Sequence, residues 1–217
     1  MYARSLGDRT LTLQVSGMLW NRSLVIRDVE TGSLWSHLLG RCMDGELIDQ
    51  SLESVPSVMT SWQAWRQARP ETDCVVWPQT DPYDYDAQFY QRHGVENFVI
   101  GVASPTSARA FRFPDLKATP LVNDRFEDRP IVIWFDTESG AARCFERNVN
   151  ARELTFHFAG DSVVDQQTGS HWNMNTGKAT QGELAGTQLK PRVALPSEAK
   201  AWSTFHPNSS YWSPPEN

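Results

Sequence analysis

The chain predicts a mainly β protein: two related β units in tandem, each barrel- or sandwich-like with one short helix, the first lacking its N-terminal strands. Three observations predict it. The octet DVETGSLW at Asp28 returns as DQQTGSHW at Asp165, 137 residues later. Apolar residues alternate with period two through segments such as TLTLQVSG and ELTFHFAG, as half-buried strands do. Each unit also carries one short helix signature that stops at a proline, Pro70 or Pro207.

The repeat extends beyond the octets. The same offset carries Gly40 onto Gly177, Gly45-Glu46-Leu47 onto Gly182-Glu183-Leu184, Leu52 onto Leu189 and Trp65 onto Trp202. Self-similarity at a fixed spacing signals a duplicated unit. Upstream the offset becomes 143, pairing Arg4 with Arg147, Leu11-Thr12 with Leu154-Thr155 and Gly17 with Gly160. The extra residues fall within MLWNRSLVIRD, which predicts a longer hairpin in the first unit.

Taken in order, the first unit spans 1–77. Its helix is expected to start at Thr60, with Gln63 reaching back as a capping box, and to set Trp62 and Trp65 on one face. A linker follows at 78–97, rich in Pro, Asp and Tyr. The second unit spans 98–212. FVIGVAS, ARAFRF, PIVIWFD and ARCFER read as strands, and DTESGAA as a hairpin connection in which Gly140 takes a positive φ. Ser197 is the expected cap of its helix, with Trp202 and Phe205 on the packed face. Residues 213–217 form a loose tail. The first unit has nothing equivalent to the roughly fifty residues, from Phe98 to Arg147, that open the second. Its open edge calls for cover from the linker, the second unit, a second copy of the chain, or residues further upstream.

Composition narrows the function. A net charge of −6 and no basic stripe argue against nucleic acid, whose affinity rests on cations neutralising phosphates. No apolar run approaches the roughly 18 residues of a membrane span, and MYARSLGDRT has no apolar stretch of an export signal. Nine tryptophans are many for this length and point to half-buried rings that need a partner for their N–H. Cys42, Cys74 and Cys144 are scattered, with no zinc spacing, and read as small apolar residues. No phosphate-binding glycine loop and no nucleophile elbow occur, and nothing calls for a cofactor or a resident metal.

Two sets of residues remain as candidates. In the twin octets, Asp28, Thr31, Ser33 and Trp35, with Asp165, Thr168, Ser170 and Trp172, offer a carboxylate and two hydroxyls beside an indole. That set suits a polyol or glycan, with Asn123 and Asp124 as further binding candidates. The competing reading is structural, because Asp, Thr and Gly are also what a tight turn requires. The first functional reading is therefore a non-enzymatic binding or interaction module. The alternative is a hydrolase or metal-dependent enzyme using Asp124, His157, His171 and Asp165, with Cys144 as a conceivable third ligand beside the two histidines.

LTLQVSGMLWNRSLVIRDVETGSLWSHLLGRCMDGEL followed by TSWQAWRQARPET, with VIGVASPTSARAFRFPDL and PLVNDRFEDRPIVIWFD in the second half, resembles the domain-of-unknown-function 3179 family of bacteria and archaea. That resemblance implies no specific activity. It implies an upstream half-repeat with a Cys-Pro-Leu-Cys segment, which this chain lacks, and an exported location for many relatives. His37 stands where the family usually has Gln, and Arg69 where it usually has His before Pro.

Overall fold

The structure is a computed structural model that describes residues 1–74 and 95–215. Most of the linker, with its aromatics and His93, lies outside the described residues.

The first half is a small hairpin, β1 (Ser5–Leu6) and β2 (Arg9–Thr10), followed by a four-stranded antiparallel meander. The meander runs β3 (Leu13–Trp20), β4 (Ser23–Asp28), β5 (Leu34–Ser36) and β6 (Cys42–Asp44) in chain order. Asn21 and Arg22 turn the first ribbon with positive φ, the conformation that matches strand twist in a two-residue hairpin. Helix α1 (Trp62–Ala68) closes this half.

In the second half, a 3-10 turn (Val95–Asn97) leads into β7 (Phe98–Ala103), β8 (Ala108–Arg112) and α2 (Phe113–Ala118). Strands β9 (Leu121–Phe126), β10 (Arg129–Asp136) and β11 (Ala141–Glu146) form a three-stranded sheet with β10 at its centre. A hairpin, β12 (Asn148–Val149) and β13 (Arg152–Glu153), precedes a second meander. This one is built from β14 (Phe156–Ala159), β15 (Ser162–Asp165), β16 (His171–Asn173) and β17 (Lys178–Gln181). The chain then returns to β7 as β18 (Leu195–Glu198), forms α3 (Ala199–Phe205), and ends with β19 (Ser210–Tyr211) running parallel to β8.

Strand β10 explains the layering. Its run PIVIWF is apolar on both faces, as a strand covered on both sides must be. Ile131, Ile133 and Phe135 enter one core with Ile100, Phe111 and Phe113. Val132 enters the other, with Phe145, Phe156 and Trp172. The first half has a smaller core built on Leu11, Trp35, Cys42 and Leu52.

Several contacts recur between the halves. The first ribbon runs from Leu13 to Asp28 and the second from Phe156 to Asp165, so the first is the longer by the residues its sequence adds. Leu11 N–H donates to the Arg4 carbonyl, and Leu154 N–H to that of Arg147. The Tyr2 ring lies against Gly40 as the Phe145 ring lies against Gly177. The indoles of Trp65 and Trp202 donate to Thr72 and Ser209 at 3.0 and 2.8 Å.

Four expectations are corrected. The second half carries two helices, α2 and α3, where one was expected, because Pro114 at the start of α2 turns the end of the ARAFRF strand into a helix. No closed barrel forms among the described residues: sheets of three and four strands are too narrow to close, and β10 is covered by neighbouring layers instead. Helix α1 is capped by Ser61, whose hydroxyl accepts from Ala64 N–H at 3.2 Å, and Thr60 lies one residue outside it. Ser197 does not cap α3, because the ladder with β7 continues to Glu198 and holds Ser197 in the strand. No helix among the described residues is long and apolar enough to cross a membrane.

Candidate functional site

The twin octets fold into the same hydrogen-bonded turn. Asp28 is fully buried. Its Oδ1 accepts from Thr31 N–H at 2.6 Å and Thr31 Oγ1 at 2.8 Å, and its Oδ2 accepts from Trp35 Nε1 at 2.9 Å. Asp165 is equally buried, with Thr168 at 2.7 and 2.9 Å and Trp172 at 2.9 Å. Ser33 and Ser170 contact the threonine hydroxyls at 2.6 and 2.7 Å, and accept from the N–H of Leu47 and Leu184. Gly45 and Gly182 pass so close that a Cβ there would lie 2.8 or 2.7 Å from the Ser33 or Ser170 Cα. Burial alone would raise the Asp28 pKa, but the bonds from Trp35, Thr31 and Gly32 outweigh it and hold it below the ordinary value. The carboxylates, serines and indoles of both octets therefore face inward and bond to one another.

The remaining sequence candidates separate in space. The Asn123 carboxamide donates to the Phe156 carbonyl and accepts from its N–H, both at 2.8 Å, and so joins β9 to β14. Asp124 pairs with Arg109 at 2.6 Å and accepts from Arg125 N–H. His157 and His171 are both registered on Val164, so their Cα atoms stand about 10 Å apart across β15. Cys144 belongs to the core on the far side of β10, and burial pushes its thiol pKa up. Among the described residues no three His, Cys, Asp or Glu side chains gather where they could hold a metal ion.

His206 is notable for a different reason. Its ring lies 4.1 Å from that of Trp202, and its Nε2 is buried with no hydrogen-bond partner among the described residues. Burial lowers its pKa below 6.5. The unfolded chain then binds protons that the folded chain refuses. Stability is complete above about pH 6.5 and falls as pH drops toward the lowered folded value. His206→Leu is expected to narrow the difference in melting temperature between about pH 7.5 and pH 5. An unchanged difference in a thermal-melt series would assign the linkage to other groups.

Polar side chains do face open space in a cleft of about 600 Å³ between α1 and the β10–β11 hairpin. Gln63 and Gln67 lie one turn apart on α1 and so share a face. Opposite them stand Asp136 and Glu138 from the hairpin, and Asn173 and Asn175 from the end of β16 and the turn after it. Ser61 and Ser139 add hydroxyls. Asp136 accepts from Ser139 Oγ at 2.7 Å and Glu138 N–H at 3.0 Å, which fixes the hairpin. Asn175 Oδ1 accepts from Trp134 Nε1 and Arg143 Nη1, at 3.1 and 3.0 Å.

The sequence reading missed this cleft. The i, i+4 glutamines were its one local signal, and they identify no partner wall.

No curated protein and no solved structure matches the chain. A family model described as protein of unknown function (DUF3179) matches residues 1–209, and the chain belongs to that family.

Proposed function

We propose that the protein is a non-enzymatic binding module made by duplication of one β unit, at 1–77 and 98–212, and that it seats a polyol or glycan in the cleft beside α1. The recurring turn, glycine and tryptophan contacts support the duplication. One observation carries the binding reading: the side chains of Gln63, Gln67 and Glu138, which bond to no other described residue, line a space of about 600 Å³. That volume lies within the range of small-molecule sites, and those groups are the donors and acceptors that match sugar hydroxyls. The twin octets act in this reading as scaffold, since their polar groups already have partners. The hydrolase alternative gains no support from the geometry: Asp124 is paired with Arg109, and Asp165 is closed inside its turn.

The test is calorimetry and ligand-observed NMR with a panel of neutral mono- and disaccharides. Binding by at least one is expected. A Gln63→Ala, Gln67→Ala double variant should weaken it about thirtyfold, at about 1 kcal/mol for each lost hydrogen bond. Alanine preserves the helix. Sugar binding indifferent to both glutamines, or turnover of any sugar, would overturn the proposal.

A further inference from the structure

We infer that the ligand of this cleft is an anionic polyol, and that its carboxylate or phosphate docks in the adjoining cavity against Arg143 and Arg69. The inference rests on the binding reading above and specifies the ligand class.

The second cavity measures about 230 Å³ and shares Ala68 and Asn175 with the cleft. It lies between the halves of the molecule, with Trp65 and Val58 on one side and Ile100 and Phe145 on the other. Three guanidinium-bearing residues line it, Arg69, Arg143 and Arg192, and no Asp or Glu does. Arg192 reaches Glu146 at 3.8 Å. Arg143 has the Asn175 Oδ1 bond but no ion pair among the described residues, and Arg69 has none either. Burial is the largest influence on Arg143 and lowers its pKa; Asp136 pulls the other way, and the Arg69 charge lowers it further. Asp136 is itself bonded to Ser139 within the hairpin.

Asp136 offsets part of the charge on half-buried Arg143, but with exposed Arg69 beside it and no Asp or Glu in the lining the cavity keeps a positive excess, which favours an anion. A guanidinium matches two oxygens of a carboxylate or phosphate at once. Size decides the division of the ligand. At 230 Å³ the cavity is smaller than the roughly 300–1,000 Å³ of whole small-molecule sites, so it suits an end group. The body of the molecule then lies in the larger cleft, and Asn175 borders both.

Calorimetry on the full chain with six probes tests this: galacturonate, galactose, glucose 6-phosphate, glucose, inorganic phosphate and acetate. At least one acidic sugar is expected to bind about tenfold or more tightly than its neutral counterpart. Comparing galacturonate with glucose 6-phosphate separates a carboxylate from a phosphate ligand. Arg69→Gln, which leaves the Arg143–Asn175 bond in place, should reduce the preference and leave the neutral sugar's affinity unchanged within about twofold. Arg143→Gln should erase the preference, with some loss of neutral-sugar affinity because its bond to Asn175 goes too. Equal binding of neutral and acidic sugars, or a preference that survives both variants, overturns the anion pocket and leaves the cleft reading standing. Binding of phosphate or acetate alone, lost in the arginine variants, upholds the pocket and overturns the sugar reading. No binding of any probe overturns both.

Discussion

Asp165→Ala is expected to destabilise the protein by about 3–5 kcal/mol, with no ligand present. The carboxylate is fully buried and receives the Trp172 indole N–H, the Thr168 N–H and the Thr168 hydroxyl. Alanine removes the acceptor and leaves those donors behind. Each donor stranded away from water costs about 1–3 kcal/mol, more than the net value of the bond it lost. At about 2–4 °C per kcal/mol for a chain of this size, the melting temperature should fall by about 10 °C. Asp165→Asn tests the direction of the bonds. It keeps the shape but turns one acceptor into a donor facing another donor, so it should lose about 1–3 kcal/mol. Asp28→Ala is expected to match Asp165→Ala, because its turn contains the same bonds. Denaturant unfolding followed by circular dichroism measures all three. A loss under about 1 kcal/mol for Asp165→Ala would mean that the octet does not hold its fold together.

Trp202→Ala should cost about 3–5 kcal/mol by the same measurement. The ring is fully buried with Val99, Ala108 and Ala110. It lies directly on Gly101, where a Cβ would sit 2.2 Å from the indole, so the strand can approach the helix only because residue 101 has no side chain. The hole left by alanine cannot close easily, since β7 is hydrogen-bonded on both edges, to β8 and β18. A reciprocal test follows. Gly101→Val alone should destabilise strongly through the clash. In the Trp202→Ala background the same change should be neutral or stabilising, because the valine fills vacated space. Additive losses would show that the ring and the glycine are not in contact. Trp65 on α1 is half-buried, and its replacement by Ala should cost less, about 1–2 kcal/mol.

Much of this molecule was legible locally. The alternation in TLTLQVSG and ELTFHFAG produced ribbons, DTESGAA produced the β10–β11 hairpin with Gly140 at φ 67°, and α1 and α3 stop before Pro70 and Pro207. The helix starts were less legible. Thr60 and Ser61 are both competent caps, and the choice between them depends on where the preceding chain enters the helix. Ser197 is likewise a good cap by type, yet the ladder with β7 claims it. The octets were ambiguous in principle: the residues that build a sugar site also build a turn, and only burial tells the two apart.

The sequence by itself determined the strands, the turns and the family, because each is written in residues close enough to interact within one element. The Asp165-to-Trp172 bond spans only seven positions. What the cleft and its neighbouring cavity contain was decided by tertiary structure alone. Gln63 and Gln67 line one cleft with Asp136, Glu138 and Asn175 only because α1 of the first half lies beside the β10–β11 hairpin of the second. Packing of that kind follows from shape and apolar area summed over many residues, and no short motif encodes it.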